Sequence, residues 1–394
     1  MAVRQMLLEL EKVGVDVQIL GATIFDHERG TAGLEGYWKS IKSHPGKFLN
    51  IADGPLRHTL MITNVTRRSR MLAEEEGKWH LQYEKTLDTF KPDLVYFYGG
   101  GTLDLLLSVD AKHRGIPVAF YLANGNYHGH RWYRDLDVIL TDSQATADMY
   151  RERLGIDVTP IGAFIDPARV VAPAHTRQRL LMVNPSMEKG AGIVARLALM
   201  MEHRRPDIQF EVVESRGSWA EVVRAVTAST GKPRDTLSNV VVTAHTTDMR
   251  PLYGRAKLLL APSLWWESSG RVLAEAMLNG VPALITDRGG MPEMVGDAAI
   301  KFQLDDRFHE KPYNRLPGPE ALLPLVERIE ALYDNEKLYA GLVARAKKIG
   351  RERHGLDVST KRLIQALTPW LVKRAGDRQH NADLITVVDE NEGP

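Results

Sequence analysis

The chain has 394 residues, 44% hydrophobic and 26% charged, which suits an ordinary soluble globular protein of two or three cored domains. Its 51 lysines and arginines against 50 aspartates and glutamates leave a net charge of +1, so there is no electrostatic footprint for nucleic acid. With no cysteine, disulfides and thiolate chemistry are excluded; with no run of about eighteen apolar residues and no signal-peptide core, a cytoplasmic location is the default expectation and peripheral membrane contact has no support.

Val3, Met6, Leu7 and Leu10 form one face of an amphipathic helix that Gly14 ends, and a strand follows near 15–20. Further strands are expected near 93–98, 116–122, 137–141 and 157–161, with helices over 68–90, 102–113 and 144–154. This alternation predicts a parallel sheet with helices on both faces. Arg67-Arg68-Ser69-Arg70 reads as a solvated helix end. The periodicity lapses over 163–178, around Pro167 and Pro173, which marks a linker candidate.

A second alternating set has strands near 179–183, 208–213, 240–243, 257–261, 281–286 and 298–302. An irregular loop is expected over 307–319 and helices over 320–333, 336–348 and 358–372. The tail 377–394 is polar, acidic and poor in large apolar residues, so disorder is expected there.

The most informative segment is Pro262-Ser263-Leu264-Trp265-Trp266-Glu267-Ser268-Ser269-Gly270-Arg271-Val272-Leu273-Ala274-Glu275. It leaves the carboxyl end of a buried strand, where open α/β sheets bind ligands. Ser268 and Ser269 read as helix N-caps, so the free N–H groups of Ser269, Gly270, Arg271 and Val272 form a seat for phosphate. Glu267 and Glu275 flank that seat and suit sugar hydroxyls better than phosphate; the plain alternative is a capped helix with two ordinary glutamates. The chain continues through Asn279-Gly280-Val281-Pro282 and a buried strand to Asp287-Arg288-Gly289-Gly290-Met291-Pro292-Glu293.

Together these segments resemble the donor-binding signature of the retaining, family-four glycosyltransferases of the GT-B fold: a glutamate, seven residues, a second glutamate, then "G-x-P" and a strand ending before "G-G-x-P-E". The resemblance implies two Rossmann-like α/β domains facing across a cleft. The expected domains are 1–165 on the acceptor side and 176–350 for the donor. A C-terminal helix over 351–376 would cross back to the first domain, followed by the tail 377–394. In this family a strand and glycine-rich turn precede the first helix, and neither is present here; the reading favours a true start upstream.

The resemblance also implies the activity: transfer of a sugar from a nucleotide-diphosphate sugar, UDP- or GDP-linked, to a glycan, lipid-linked or small-molecule acceptor. The anomeric configuration would be retained, with no cofactor and no required metal. Glu267 would hold the donor sugar, Glu275 the ribose, and Lys189 the diphosphate with the helix N-terminus. The Gly289-Gly290 turn would lend N–H donors to the sugar. At Asn184 the family has an arginine, and Arg216 is the candidate replacement cation. His128, with His130 as second choice, would bond a sugar hydroxyl, and His245 would sit beside the base.

Other motifs carry weaker signals. His128 and His130 form a His-x-His pair without an obvious third metal ligand, and Asp135-Leu136-Asp137 reads as strand-entry charge. Tyr98-Gly99-Gly100-Gly101-Thr102 is either an acceptor-side anion turn or a structural one. Trp265 and Trp266 either wall a sugar pocket or pack the strand end. Two other functions stay open: a catalytically silent GT-B subunit that partners an active enzyme, and a nucleotide-sugar 2-epimerase.

Overall fold

A computed structural model of the chain describes residues 2–25, 34, 36, 38–228, 231–375 and 383–387. They divide into two compact units: Met1–Thr141, Ala147–Ile161 and Thr360–Pro394 form one, Asp142–Thr146 and Gly162–Ser359 the other. The chain begins with α1 (Ala2–Lys12), β1 (Asp16–Ala22), α2 (Trp38–Ser43), β2 (Phe48–Asp53), β3 (Leu56–Met61), α3 (Ala73–Phe90) and β4 (Leu94–Phe97). It continues through α4 (Thr102–His113), β5 (Val118–Leu122), β6 (Val138–Thr141), α5 (Gln144–Leu154) and β7 (Thr159–Pro160).

The elements that follow are α6 (Pro167–Val170), β8 (Arg179–Val183), α7 (Ala191–Met201), β9 (Gln209–Val213), α8 (Trp219–Thr227), β10 (Val240–Thr243), α9 (Arg250–Arg255) and β11 (Ala256–Ala261). Then come α10 (Arg271–Leu278), β12 (Ala283–Thr286), α11 (Met291–Val295), β13 (Ala299–Phe302), α12 (Pro319–Asp334), α13 (Glu336–His354), α14 (Leu356–Ala375) and β14 (Asp383–Val387).

The second unit's sheet runs β10-β9-β8-β11-β12-β13, parallel throughout. Side chains alternate across it, as the period of two in a strand requires. Leu180, Leu258, Leu260 and Leu284 join one buried cluster, with residues of α7, α8 and α12. Leu181, Leu259 and Ile285 join the other, with residues of α10 and α13. Both faces are covered, which is why these strands read as continuous apolar runs rather than alternating ones. The strand order reverses between β8 and β11, and such a reversal opens a crevice at the carboxyl ends.

The first sheet runs β2-β3-β1-β14-β4-β5-β6-β7. The place between β1 and β4 is filled from the far end of the chain: β14 pairs parallel with both. Leu384, Ile385, Thr386 and Val387 are a β-favouring run, and pairing them satisfies two rows of backbone groups that a gap would leave open. Five residues of the tail expected to be disordered are therefore a strand, and the rest of that tail lies outside the described residues.

One element was not expected, and two further expectations differ from the structure. The hairpin of β2 and β3 is antiparallel and was not foreseen, although Asp53-Gly54 between two such runs is a turn signal and Gly54 has φ +60°. The 163–178 stretch is not a loose linker: Ile165 is fully buried, and α6 is capped by Asp166, whose carboxylate accepts from Ala168 N at 3.0 Å. Arg68 is not a solvated residue either, since it meets Glu76 at 3.2 Å and Asp104 at 3.7 Å.

Candidate functional site

Three loops leave the carboxyl ends of β8, β11 and β12, the adjacent central strands of the second sheet. Those after β8 and β11 interlock. Glu188 O accepts from Leu264 N at 2.9 Å and Trp265 N at 3.1 Å, and a Cβ on Gly190, at φ +78°, would stand 2.0 Å from Pro262 O. That contact leaves room only for glycine after Lys189. Lys189 thereby reaches across the reversal point and pairs with the Glu267 carboxylate. Ser263 Oγ donates to the same carboxylate oxygen at 3.2 Å. A cation and a carboxylate, both assigned from sequence to the donor, thus share one position.

The loop after β12 locks the same segment from the other side. Gly290 N donates to Glu267 O at 2.8 Å, and Cβ atoms on Gly289 and Gly290 would lie 2.4 Å from Glu267 O and 1.9 Å from Ser268 O. The expected offer of sugar-binding donors by this turn therefore fails for Gly290, whose N–H is spent on Glu267. The Asp142–Thr146 segment, which sequence reasoning passed over, adds support. Ser143 Oγ donates to Ser268 O, Ser269 Oγ donates to Asp142 at 3.0 Å, and Ala145 N donates to Glu293 at 3.1 Å.

The serines are not helix caps. Gly270, at φ +79°, stands at the N-cap position of α10 with no side-chain cap, so the helix begins at Arg271. The reason is local: a left-handed residue cannot lie inside a right-handed helix, which moves the start past Ser268 and Ser269. Of the expected phosphate seat, Arg271 and Val272 are in the first turn and Ser269 and Gly270 precede it.

Glu275 is 7% exposed. Its two oxygens accept from Tyr253 Oη and Arg271 Nε, each at 2.8 Å. Burial, and then the Glu275 charge, push the Tyr253 phenol well above its usual range, so it stays a donor. Tyr253 was missed because nothing in its local sequence points 22 residues ahead to Glu275.

Asn184 has φ +61°, and its Oδ1 accepts from Arg216 N at 3.0 Å and Gly217 N at 3.3 Å. It ties the β8 loop to the β9 loop, a role an arginine at that position would not reproduce. Arg216 and His245 are exposed, after β9 and β10. In the first unit, His128 is exposed and its Nδ1 accepts from Arg153 at 3.3 Å, while His130 Nδ1 is 2.5 Å from Tyr133 Oη. The Gly99–Gly101 turn is filled from within, since Asp104 accepts from Gly101 N at 2.7 Å.

A cavity of about 470 Å³ opens at the opposite, amino edge of the second sheet, lined by Arg177, Arg179, Lys257 and Tyr333 among others. Its cations are already engaged. Arg177 donates to Gly280 O at 2.7 Å, Arg179 meets Glu211 at 3.4 Å, and Lys257 lies 4.8 Å from the Tyr333 ring centre. It is no rival to the carboxyl edge.

The sequence model of the family "Glycosyl transferases group 1" matches residues 197–310. Among solved structures, the chain is similar to a glycosyltransferase from Rickettsia africae, at 14% identity and TM-score 0.65, over 91% of this chain and 99% of that one. It is similar to sucrose-phosphate synthase from Thermosynechococcus elongatus, at 14% identity and TM-score 0.64, over 94% and 93%. A third is Anabaena HepE in complex with UDP and glucose, at 16% identity and TM-score 0.60, over 89% and 99%. No curated protein matches the chain. At such identities the structural likeness speaks for the fold, and the family match speaks for the segment that holds β9 to β13. Residues 197–310 match the model of the group 1 glycosyl transferases, and the chain as a whole has the GT-B fold.

Proposed function

We propose that the protein transfers a sugar from a nucleoside-diphosphate donor to an acceptor hydroxyl with retention at the anomeric carbon. The observation that carries this is the Lys189–Glu267 pair at the reversal point of the second sheet. The family match supports glycosyl transfer, and HepE, a protein of similar fold, was solved with UDP and with UDP-glucose, in keeping with a nucleotide-sugar donor.

In this reading the donor diphosphate draws Lys189 away from Glu267 and rests on the first turn of α10. Lys189 stabilises the charge that develops as the sugar–phosphate bond breaks. Glu267, freed, accepts from the sugar hydroxyls, and Glu275 accepts from the ribose beside Arg271. The acceptor oxygen bonds the anomeric carbon on the face the phosphate leaves, and a phosphate oxygen takes the acceptor's proton. No dedicated base is required. His245 sits beside the base.

The test is incubation with UDP- and GDP-sugars and an acceptor panel, reading nucleoside diphosphate release and the anomeric configuration of the product. Release with a retained product supports the reading, and an inverted product ends it. A second reading has one observation in its favour: Asn184 is a loop tie where the family has a cation. If UDP binds and no donor is turned over or hydrolysed, the chain is a silent subunit of an active partner.

A further inference from the structure

Three buried donors at the carboxyl edge of the second sheet have no acceptor among the described residues: Ser186 Oγ, Trp266 Nε1 and Arg288 Nε. They stand on the three loops that follow β8, β11 and β12. Buried donors are nearly always paired, so three orphans on neighbouring loops call for a partner that binds there. Two are close together, since the Arg288 guanidinium lies 5.8 Å from the Trp266 ring centre.

Arg288 is also placed by the site's own architecture. It immediately precedes Gly289-Gly290, the turn held against Glu267 and Ser268, so its backbone moves with the Glu267 segment. It makes no ion pair with a described carboxylate. Arg288 and Glu188 both act on the Tyr313 phenol, Arg288 lowering its pKa and Glu188 raising it, with burial the largest cause of its rise. A partly buried guanidinium left without a carboxylate, beside an indole N–H left without an acceptor, is a receptor for an anionic oxygen.

Resting on the donor reading of this edge, we infer that Arg288 and Trp266 form a subsite for an anionic oxygen of the donor and supply the cation that Asn184 does not. That oxygen belongs either to the diphosphate or to a carboxylate on the transferred sugar. Asn184 has no charge and is committed to the backbone of Arg216 and Gly217, whereas Arg288 has charge and a free donor. The chain thus keeps two cations at the donor edge by moving one from the β8 loop to the β12 loop.

The experiment is calorimetric titration of wild type, Arg288→Gln, Arg288→Lys and Trp266→Phe with UDP, UDP-glucose and UDP-glucuronate, and with GDP and GDP-mannose. Arg288→Gln is expected to raise Kd by about tenfold to a hundredfold, the range for a charged hydrogen bond. Arg288→Lys should recover part of that, and Trp266→Phe, which keeps an aromatic ring while losing the indole N–H and some ring area, should weaken the same ligands by about threefold to tenfold. Loss on UDP itself assigns the oxygen to the diphosphate; loss confined to UDP-glucuronate assigns it to a sugar carboxylate. Unchanged Kd values for all ligands in Arg288→Gln and Trp266→Phe, with wild type binding at least one, overturn the subsite and leave the donor reading standing. A wild type that binds none of them overturns the donor reading and the subsite with it.

Discussion

Two glycine turns follow buried strands in this chain, and they differ in what fills them. After β4, the Asp104 carboxylate occupies the turn: Gly101 N donates to it at 2.7 Å, and a Cβ on Gly99 would stand 2.5 Å from it. After β12, the turn is packed against the backbone of Glu267 and Ser268, and the residue before it keeps a buried Nε without a partner among the described residues. The first turn closes on its own helix and the second packs against the loop that carries Glu267. A strand, a glycine turn and a helix therefore do not define a ligand site; leftover donors and charges do.

The contrast is most severely tested at the glycines. Gly290→Ala puts a Cβ 1.9 Å from Ser268 O, a backbone atom that cannot give way, and should cost about 3 kcal/mol or more in urea unfolding. Gly101→Ala meets only side-chain ends, 3.3 Å away, at a residue with φ −74°, and should cost about 1 kcal/mol or less. Similar losses in both would erase the distinction between the turns.

Next in size is Glu267→Gln, which removes the charge partner of Lys189 without changing shape. Turnover should fall about a hundredfold while UDP affinity is held or raised, since the sugar contact matters most at the transition state and Lys189 no longer has to leave a carboxylate to reach the diphosphate. Full activity in this variant would break the functional half of the contrast.

Asp104→Ala strips the acceptor from the first turn and should cost about 1–3 kcal/mol, whereas Asp104→Asn keeps an acceptor oxygen and should cost less. Burial raises the Asp104 pKa, so carrying the charge costs more there than in water, which offsets part of what losing it removes. Equal losses in the two variants would show that the charge, not the oxygen, fills the turn.

The smallest effect concerns a carboxylate of the second unit held the opposite way. Glu202 is brought down to about 2, first by Arg234, which donates to its two oxygens at 2.7 and 2.6 Å. A depressed acid pKa stabilises the fold above the unfolded value, near 4.5, and that contribution is lost as pH falls toward 2. Thermal scans from pH 5 to 2 should show a shallower decline in Glu202→Gln than in wild type, and identical slopes would remove Glu202 from the acid limb.

Much of the architecture was legible because its signals are local. The expected bounds of β8, β10, α4 and α5 agree with the structure to the residue, as apolar runs and helix periods closed by clear stops. Ile165 was misread because loss of periodicity looks the same whether a segment is loose or packed. Ser268 and Ser269 were misread because the positive φ of Gly270, not their cap chemistry, sets the start of α10. Lys189 and Glu267 were each singled out by type and place, yet their meeting was invisible, since 78 residues separate them.

The sequence by itself determined two alternating α/β halves, the buried central strands and the residue types at their carboxyl ends, because helix and strand periods, turns and breakers act over a few residues. Only the tertiary structure decided that β14 stands between β1 and β4, that Asn184 serves as a loop tie, and that Arg288 and Trp266 keep donors without acceptors among the described residues. Strand pairing and hydrogen-bond satisfaction are settled between segments far apart in the chain, so no local pattern records them.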